Sequence, residues 1–521
     1  FTQDDAYIFA RYAHHLAHGN GFVYNIGEHT EGATSFLWTL LAALGAKLGA
    51  DIPQFIKTAG MVSSVLWLTA FCAVCRQWLT RPYQWVLPVV LFAAFPSLAM
   101  WSQSGLEVCF FGFLATVGFY WAEAWQRSGA KKHLLLLCLT AILLILTRPE
   151  GLPVAFVYAV YLFFHPHAGK KSEAFRWYLP AVAVTLAALL VFRYSYFHDW
   201  VPNTYYAKGG GGYYLRRLGL GKFHVFLRDN WNWVLFAGAL PVLFVKKGIR
   251  VLMLIPVLWA AYYINSGGDI LPEHRLLLPA VPFMILGTYY FFDFIQRNNP
   301  SQRIRSAYFR VLMVFITSLF VFGYYNYHQQ RLRAFYGVTP ALERAHGEMG
   351  RYLNEHMAPT DKAVLTDAGM TAFYAPDKHM VDWLGLCDSR VARVFYQTGY
   401  NPWAMTYCEP EKCAGRREAC HRAMEQYFDE LRPRYVVLNV FTAEDADEQM
   451  RMIDYYESNP DTLDNFVIDR ISFDGYFGVF TRQNRARGYK PVLVEPFNPN
   501  FWMILAEKPP ETKNPSGMKG F

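Results

Sequence analysis

Two carboxylates stand side by side near the front of the chain, Asp4 and Asp5, with Tyr7 and Ile8 beside them. A positioned carboxylate can take the proton from a hydroxyl as that oxygen attacks. Neighbouring residues on a helix point about 100° apart, since a turn takes about 3.6 residues. One Asp can therefore face a reaction while the other caps a helix or orients a loop. They do not suit the opposed carboxylate pair of a glycosidase, which needs about 5 Å or more across the sugar. Farther along, single ionisable residues interrupt apolar sequence: Glu107, Arg148, Glu150, Asp199, Lys208, Asp269, Glu273, His274 and Arg275. Arg forks and Lys ammoniums suit phosphate oxygens. Arg148, Lys208 and Arg275 are the candidates for holding such an anion, with His274 as a further donor, and Lys208 and Arg275 are the preferred pair. For any one residue a structural ion pair is an equal reading, with Glu107, Glu150, Asp269 or Glu273 as partner. For the whole set a polar cavity is the better one.

The elements that must position them are mostly apolar. The chain has 521 residues, 53% hydrophobic, 17% aromatic and 17% charged, whereas soluble domains carry about 25% charge. The net charge of +8 comes without the basic, aromatic-interleaved tract that nucleic-acid binding needs. Residues 5–18 read as an amphipathic helix ended by Gly19-Asn20-Gly21. Residues 35–49 are apolar but short of the ~17–25 residues a spanning helix needs, and read as interfacial or re-entrant. About ten spans are expected, near 55–76, 85–101, 104–125, 133–147, 151–165, 177–197, 231–246, 249–265, 276–296 and 308–326. The chain opens on Phe1 with no signal peptide, and a transmembrane helix is expected upstream of it.

Loop charge then sets sidedness. Arg76 and Arg81; Arg127, Lys131 and Lys132; Lys170, Lys171 and Arg176; Lys246, Lys247 and Arg250; and Arg297, Arg303 and Arg305 all fall on one side if each segment crosses once. The positive-inside rule makes that side cytoplasmic. Asp4-Asp5, the loops 102–107, 147–151, 199–230 and 265–275, and everything after residue 327 share the outer side. Ionisable groups near membrane depth are costly and mark cavities or pathways.

Residues 331–521 have short apolar runs and dense charge. Helices are expected at 340–357 and 416–431, and strands at 363–366, 435–440, 466–472 and 476–481. This alternation predicts a compact α/β domain, with Asp367 and Asp382 after strand ends, where α/β folds place ligand contacts or loop caps. Cys72, Cys75, Cys109 and Cys138 lie in apolar segments and read as packing residues. One disulfide is expected among Cys408, Cys413 and Cys420, with the pairing open. A zinc site with His421 lacks ligand spacing. His14, His15 and His18 lack a supporting carboxylate pattern. No metal and no cofactor is expected.

The front motif Asp4-Asp5-Ala6-Tyr7-Ile8 with Arg11-Tyr12 is followed by Asn25, Gly27-Glu28, Glu31-Gly32 and Thr34-Ser35. Further on come Ser104-Gly105-Leu106-Glu107, Thr147-Arg148-Pro149-Glu150-Gly151, Pro202-Asn203-Thr204-Tyr205-Tyr206-Ala207-Lys208 and Gly267-Gly268-Asp269, then Pro272, His274-Arg275 and Pro279. Asp367-Ala368-Gly369, Asp382 and Leu384-Gly385-Leu386 complete the set. In order and sidedness these resemble the GT-C fold glycosyltransferases that use polyprenyl-phosphate sugars. Within that class they are similar to the terminal arabinofuranosyltransferases of the mycobacterial cell wall and to the bacterial enzymes that decorate type IV pilin.

The resemblance implies a polytopic α-helical membrane protein of GT-C type with a C-terminal soluble α/β domain. Residues 1–330 would form the transferase body and 331–521 an extracytoplasmic domain. It implies transfer of a sugar, D-arabinofuranose first and mannose next, from a polyprenyl-phosphate donor to a glycan or pilin-like protein acceptor. The reaction would take place at the periplasmic face of a bacterial plasma membrane. In this class the first outer loop carries the essential acid, which implies Asp5 or Asp4 here, although the helix before that loop is absent from this sequence. The substrate cavity would be lined by Glu107, Arg148, Glu150, Tyr205, Lys208, Asp269, His274 and Arg275. Tyr205, Tyr206 and Trp200 would contact the sugar or the isoprenoid, although rings gather at membrane interfaces in any case. A transporter is the alternative from another class, but its charges belong at mid-membrane beside internal repeats. A non-catalytic scaffold is the other. The enzyme reading requires Asp4 and Asp5 to meet Lys208 and Arg275 in one pocket.

Overall fold

The computed structural model describes residues 2–165, 170–209, 212–245, 247–269, 271, 273–298, 302–327, 329, 333–400, 410–441, 487–498 and 501–508. The helices in chain order begin with α1 (Asp4–Ala17), α2 (Phe36–Lys47), α3 (Ile52–Trp78), α4 (Pro82–Ala93), α5 (Pro96–Ser102), α6 (Val108–Ser128), α7 (Lys131–Thr147) and α8 (Gly151–Phe164). They continue with α9 (Lys171–Phe197), α10 (Asn203–Gly209), α11 (Gly212–Arg228), α12 (Asn232–Ala239), α13 (Val242–Val245), α14 (Lys247–Leu252) and α15 (Leu254–Asn265). A 3-10 turn at Arg275–Ala280 leads into α16 (Val281–Arg297), then α17 (Gln302–Tyr327) and α18 (Arg333–His356).

Among the described residues six stretches are long and apolar enough to cross a membrane: 52–78, 108–128, 171–197, 248–265, 275–297 and 308–327. A seventh forms if α4 and α5 are one span bent by 57°. Pro96 opens α5, and a proline in that place cannot continue the preceding ladder of hydrogen bonds. The other expected segments overlap shorter helices: α7 with 17 residues, α8 with 14, and the broken pair α12 and α13. The chain is thus a multi-pass helical membrane protein. The stretch 199–230, read above as an outer loop, folds into α10 and α11.

The C-terminal region is mixed α/β. Its strands are β1 (Lys362–Leu365), β2 (His379–Asp382), β3 (Tyr435–Phe441), β4 (Lys490–Asn498) and β5 (Phe501–Glu507), in the order β2-β1-β3-β5-β4. The first three run parallel and β5 is antiparallel to both β3 and β4. The short helices α19 (Met370–Phe373) and α20 (Ser389–Thr398) and the longer α21 (Pro410–Leu431) complete it. The β1 and β3 strands match expectation, and β2, β4 and β5 are additional. The expected strands at 466–472 and 476–481 lie outside the described residues. Pro491 and Pro496 sit in β4 beside register shifts, as suits an edge strand that can do without an amide donor. Helix α18 begins seven residues earlier than expected and carries Pro340 inside it. Cys387 and Cys420 are buried and unbridged; Cys408 lies outside the described residues.

The first loop welds this region to the helices. Arg11, fully buried, donates to the carbonyls of Tyr24 at 2.7 Å, Ala375 at 3.0 Å and Lys378 at 2.7 Å, and to that of Ala372. A guanidinium carries five donors and can satisfy such a ring of carbonyls. Asn25 behaves as an extra strand residue on the β2 edge: its Oδ1 accepts from the Met380 amide at 3.0 Å and its Nδ2 donates to the Met380 carbonyl at 2.8 Å. Asn203 donates from Nδ2 to the carbonyls of Gly385, Leu386 and Asp388 at 2.8–3.1 Å. Buried polar groups tied this fully hold loops rigidly.

Candidate active site

Helix α1 starts where the loops meet. The Gln3 amide donates to the Ser104 carbonyl at 2.9 Å, which sets the helix entrance beside the 102–107 loop. From there Asp4 and Asp5 diverge as helix geometry requires. Asp4 turns to the C-terminal region, where its Oδ2 accepts from the Gly369 amide at 3.0 Å and its Oδ1 from the Met370 amide at 2.7 Å. It caps the first turn of α19. Burial pushes the Asp4 carboxyl up to about 6, with the Asp367 charge adding to the rise and His346 opposing it. Gly369 is required here, because a Cβ on it would stand 2.0 Å from the Asp4 carbonyl oxygen.

Asp5 faces the other way. Its Oδ2 lies 3.3 Å from Arg275 Nη1, and its side chain keeps 36% exposure. Arg275 is held from behind by Asp269, with Nε to Oδ2 at 3.0 Å and Nη2 to Oδ1 at 3.1 Å. Asp269 in turn accepts from the Leu271 and Leu276 amides, and its side chain is 2% exposed. Two of Arg275's nitrogens are therefore fixed, and the third points to the accessible carboxylate. Trp101 lies 5.8 Å from the guanidinium, close enough for its ring face to attract the cation.

Backbone strain aims Arg275. Glu273 and His274, just before it, have φ of 59° and 51°, a region that non-glycine residues enter only when neighbours hold them. Glu273 Oε1 accepts from the Tyr327 hydroxyl at 2.8 Å, and His274 Nε2 pairs with Asp229 Oδ2 at 3.1 Å. His274 thus serves a partner on the segment after α11. Gly267 and Gly268, at φ 84° and 75°, make the turn that delivers Asp269, and a Cβ on Gly268 would press on the Lys222 stem at 2.9 Å.

Lys208, at the end of α10, sits in the field of Asp5, Arg275, Asp269 and Arg148. Burial lowers its hold on a proton, and the Asp5 charge opposes that loss. Lys222 on α11 feels Asp269 and Lys208 in the same way, with burial again lowering it. The Arg148 fork holds Glu150, with Nε to Oε2 at 3.1 Å and Nη2 to Oε1 at 2.9 Å, and its Nη1 pairs with Glu107 Oε1. The Tyr262 hydroxyl lies near Glu150 as well. Glu107 Oε2 is buried without a hydrogen-bond partner among the described residues. Four carboxylates, of Asp5, Glu107, Glu150 and Asp269, thus face four cations, of Arg148, Lys208, Lys222 and Arg275. Such a network is costly to bury unless fully paired.

The structure brings together Asp5, Lys208, Asp269, Arg275 and Arg148, with Glu107 and Glu150 bound to Arg148. Tyr205 stands apart: it is 53% exposed and its ring contacts are Tyr206 and Tyr396. Tyr206 donates to Asp199 at 2.8 Å under the Arg393 guanidinium. Trp200 stacks on Tyr194 at 4.5 Å. Asp382 is a loop former, with Oδ1 accepting from the Leu384 amide at 2.9 Å and Oδ2 from the Cys387 amide at 2.7 Å; burial raises it to about 7. Asp367 Oδ2 lies 3.5 Å from His346 Nε2.

The sequence reading missed Lys222, Trp101 and the buried Arg193–Glu31 fork at 2.9–3.1 Å, which ties α9 to the first loop. A signal for Lys222 was present. It interrupts the inward stripe Leu215, Leu218, Gly219 and Phe226 of α11, so its ammonium had to meet a buried partner.

Comparison with known proteins bears on the fold. A family model described as a domain of unknown function (DUF8728) matches residues 326–489. No curated protein sequence matches. Among solved structures, ArnT from Cupriavidus metallidurans bound to undecaprenyl phosphate superposes with a TM-score of 0.51 at 11% identity, over 96% of this chain and 93% of that one. The archaeal oligosaccharyltransferase AglB from Archaeoglobus fulgidus, in complex with an inhibitory peptide and a dolichol-phosphate, gives 0.52 at 11% identity, over 84% of this chain and 65% of that one. The chain is therefore a polytopic membrane protein with a GT-C-type fold, carrying a mixed α/β region at its C-terminal end.

Proposed function

We propose that the protein is a membrane glycosyltransferase that moves a sugar from a polyprenyl-phosphate donor to an acceptor hydroxyl, with Asp5 as the general base. The observation that carries this reading is the contact of Asp5 with Arg275, beside Lys208. An accessible carboxylate stands beside two cations, one of them locked in place by Asp269. Fixed charges aimed at a leaving group stabilise it without reorganisation. The lipid phosphate binds Arg275 Nη1 and Lys208. It displaces Asp5 from Arg275 and frees the carboxylate to take the acceptor's proton. As the sugar–phosphate bond breaks, the electron pair stays on the phosphate, and the acceptor oxygen bonds the sugar carbon. Asp4 holds α1 in place rather than reacting, since both its oxygens accept backbone amides. Glu107 Oε2, buried and open, offers an acceptor to a sugar hydroxyl.

The lipid phosphates bound by ArnT and AglB support a donor of this class. The motif pattern favours D-arabinofuranose as the sugar, ahead of mannose, and a glycan or pilin-like protein as acceptor. The motif resemblance favours a bacterial plasma membrane with residues 1–330 forming the transferase body, and the loop charges favour Asp5 and residues 331–521 facing the periplasm. The test is turnover of radiolabelled polyprenyl-phosphate sugars, arabinofuranose and mannose among them, by the purified chain. Transfer or hydrolysis of one donor, lost in Asp5→Asn, is the expected result. A well-folded protein inert toward every donor in the panel overturns the proposal.

A further inference from the structure

A second polar centre lies one helix length from the Asp5–Arg275 contact. The 23 residues from Arg275 to Arg297 span roughly 34 Å at about 1.5 Å per residue. At the far end Gln84 Nε2 donates to Asp293 Oδ1 at 2.6 Å and to Gln296 Oε1 at 3.1 Å. The Tyr83 hydroxyl donates to the same Gln296 oxygen at 3.0 Å. Asp293, 3% exposed in its side chain, is paired with Arg297, whose Nη2 also reaches Thr80 Oγ1 at 3.3 Å. Two further arginines converge on Tyr83: Arg81 Nη1 stands 3.4 Å from its hydroxyl and the Arg310 guanidinium 5.4 Å from its ring centre. Gln296 Nε2 is buried with no hydrogen-bond partner among the described residues. Beside it Leu87, Phe292, Phe309 and Met313 close together between α4, α16 and α17.

Positive loop charge needs only a number of basic residues on the right side. It does not account for guanidiniums gathered on one tyrosine or for an orphaned amide donor. Buried donors without partners are rare and call for an explanation. Basic pockets between transmembrane helices recognise anionic lipid head groups.

We propose that this corner binds one anionic glycerophospholipid. Its phosphodiester oxygens accept from Arg81, Arg310 and the Gln296 amide. Asp293 does not repel the phosphate, because Arg297 and Gln84 already neutralise and bond it. The site is independent of the transfer reaction.

The experiment uses the purified full chain in a neutral detergent. Lipid retention is read by native mass spectrometry and thermal unfolding is followed in parallel, with dioleoylphosphatidylglycerol, dioleoylphosphatidylcholine or inorganic phosphate added. Phosphatidylglycerol is retained at one per chain and raises the Tm; the other two do neither. The double variant Arg81→Gln/Arg310→Gln and the single variant Gln296→Leu each weaken retention about tenfold or more, while Lys132→Gln, a charge removed elsewhere among the basic loops, changes nothing. Equal retention of phosphatidylcholine overturns the proposal, as does a full Tm shift from inorganic phosphate alone. So does wild-type retention in a folded double variant. Should the double variant fail to fold, unchanged retention in Gln296→Leu overturns it.

Discussion

Asp5 and Arg275 are separated by 270 positions in sequence and by 3.3 Å in space. The contact is single and partly open to solvent, whereas Asp269 grips the same guanidinium through two bonds in a buried setting. The weak contact is the exchangeable one, and that difference separates the neighbouring aspartates in function.

Asp5→Asn should leave the fold intact and lower kcat on the preferred donor by about 10²–10⁴-fold, the usual worth of a positioned general base. Asp4→Asn should behave in the opposite way. It removes a charged acceptor from two amides and should destabilise the protein by about 1.5–3 kcal/mol, read as a lower Tm, with a smaller effect on kcat. Activity retained in Asp5→Asn and lost in a stable Asp4→Asn would reverse the assignment.

Arg148→Met should be among the most damaging substitutions. It strands Glu107 and Glu150, both almost fully buried, and breaking a buried pair on one side costs about 3–5 kcal/mol. Adding Glu107→Gln and Glu150→Gln to Arg148→Met should recover part of the loss. Simple additivity of the three substitutions in thermal unfolding would mean that the groups are not coupled.

The stability should carry an unusual pH slope from Asp382. Its carboxyl rises from 3.8 to about 7 on burial. A folded value above the unfolded one means that the folded state holds the proton more tightly. Its contribution is therefore complete below about pH 4 and is lost as pH climbs through about 7, by an amount on the order of 4 kcal/mol. Unfolding followed from pH 4 to 8 should show a steeper decline for wild type than for Asp382→Asn. The comparison of slopes is the measurement, since Asn itself disturbs the two amide contacts.

Gly369→Ala should loosen the junction between α1 and the C-terminal region. The added methyl meets the Asp4 backbone rather than a flexible side chain, so the backbone must move, and overpacking of this kind costs about 1–3 kcal/mol. Gly323→Ala, inside α17 with open space around it, should be neutral or slightly stabilising. Limited proteolysis and Tm should separate the two.

Much of this was legible beforehand, and for identifiable reasons. Apolar length marks helices directly, and loop charge told which gaps share an end. That alone brought Asp5, Lys208 and Arg275 to one place. The strand His379–Asp382 was not legible: four residues are too few for a period, and its partners lie at 362–365 and in Asn25. Among the described residues β4 pairs with β5 and β5 with β3, and β4 holds prolines that argue locally against a strand. Asp4 and Asp5 were equivalent as letters. What distinguishes them is the Gly369 turn, 365 residues away, and no local pattern carries that.

The side-chain amide of Asn25 completes the hydrogen bonding of a sheet that belongs to the far end of the polypeptide. Cutting the chain to release a water-soluble fragment from residue 333 onward would strip that cover from His379–Asp382 and leave a bare parallel edge. Such a fragment would be prone to self-association, so biophysical work on the C-terminal region is better done with the intact protein than with an excised piece.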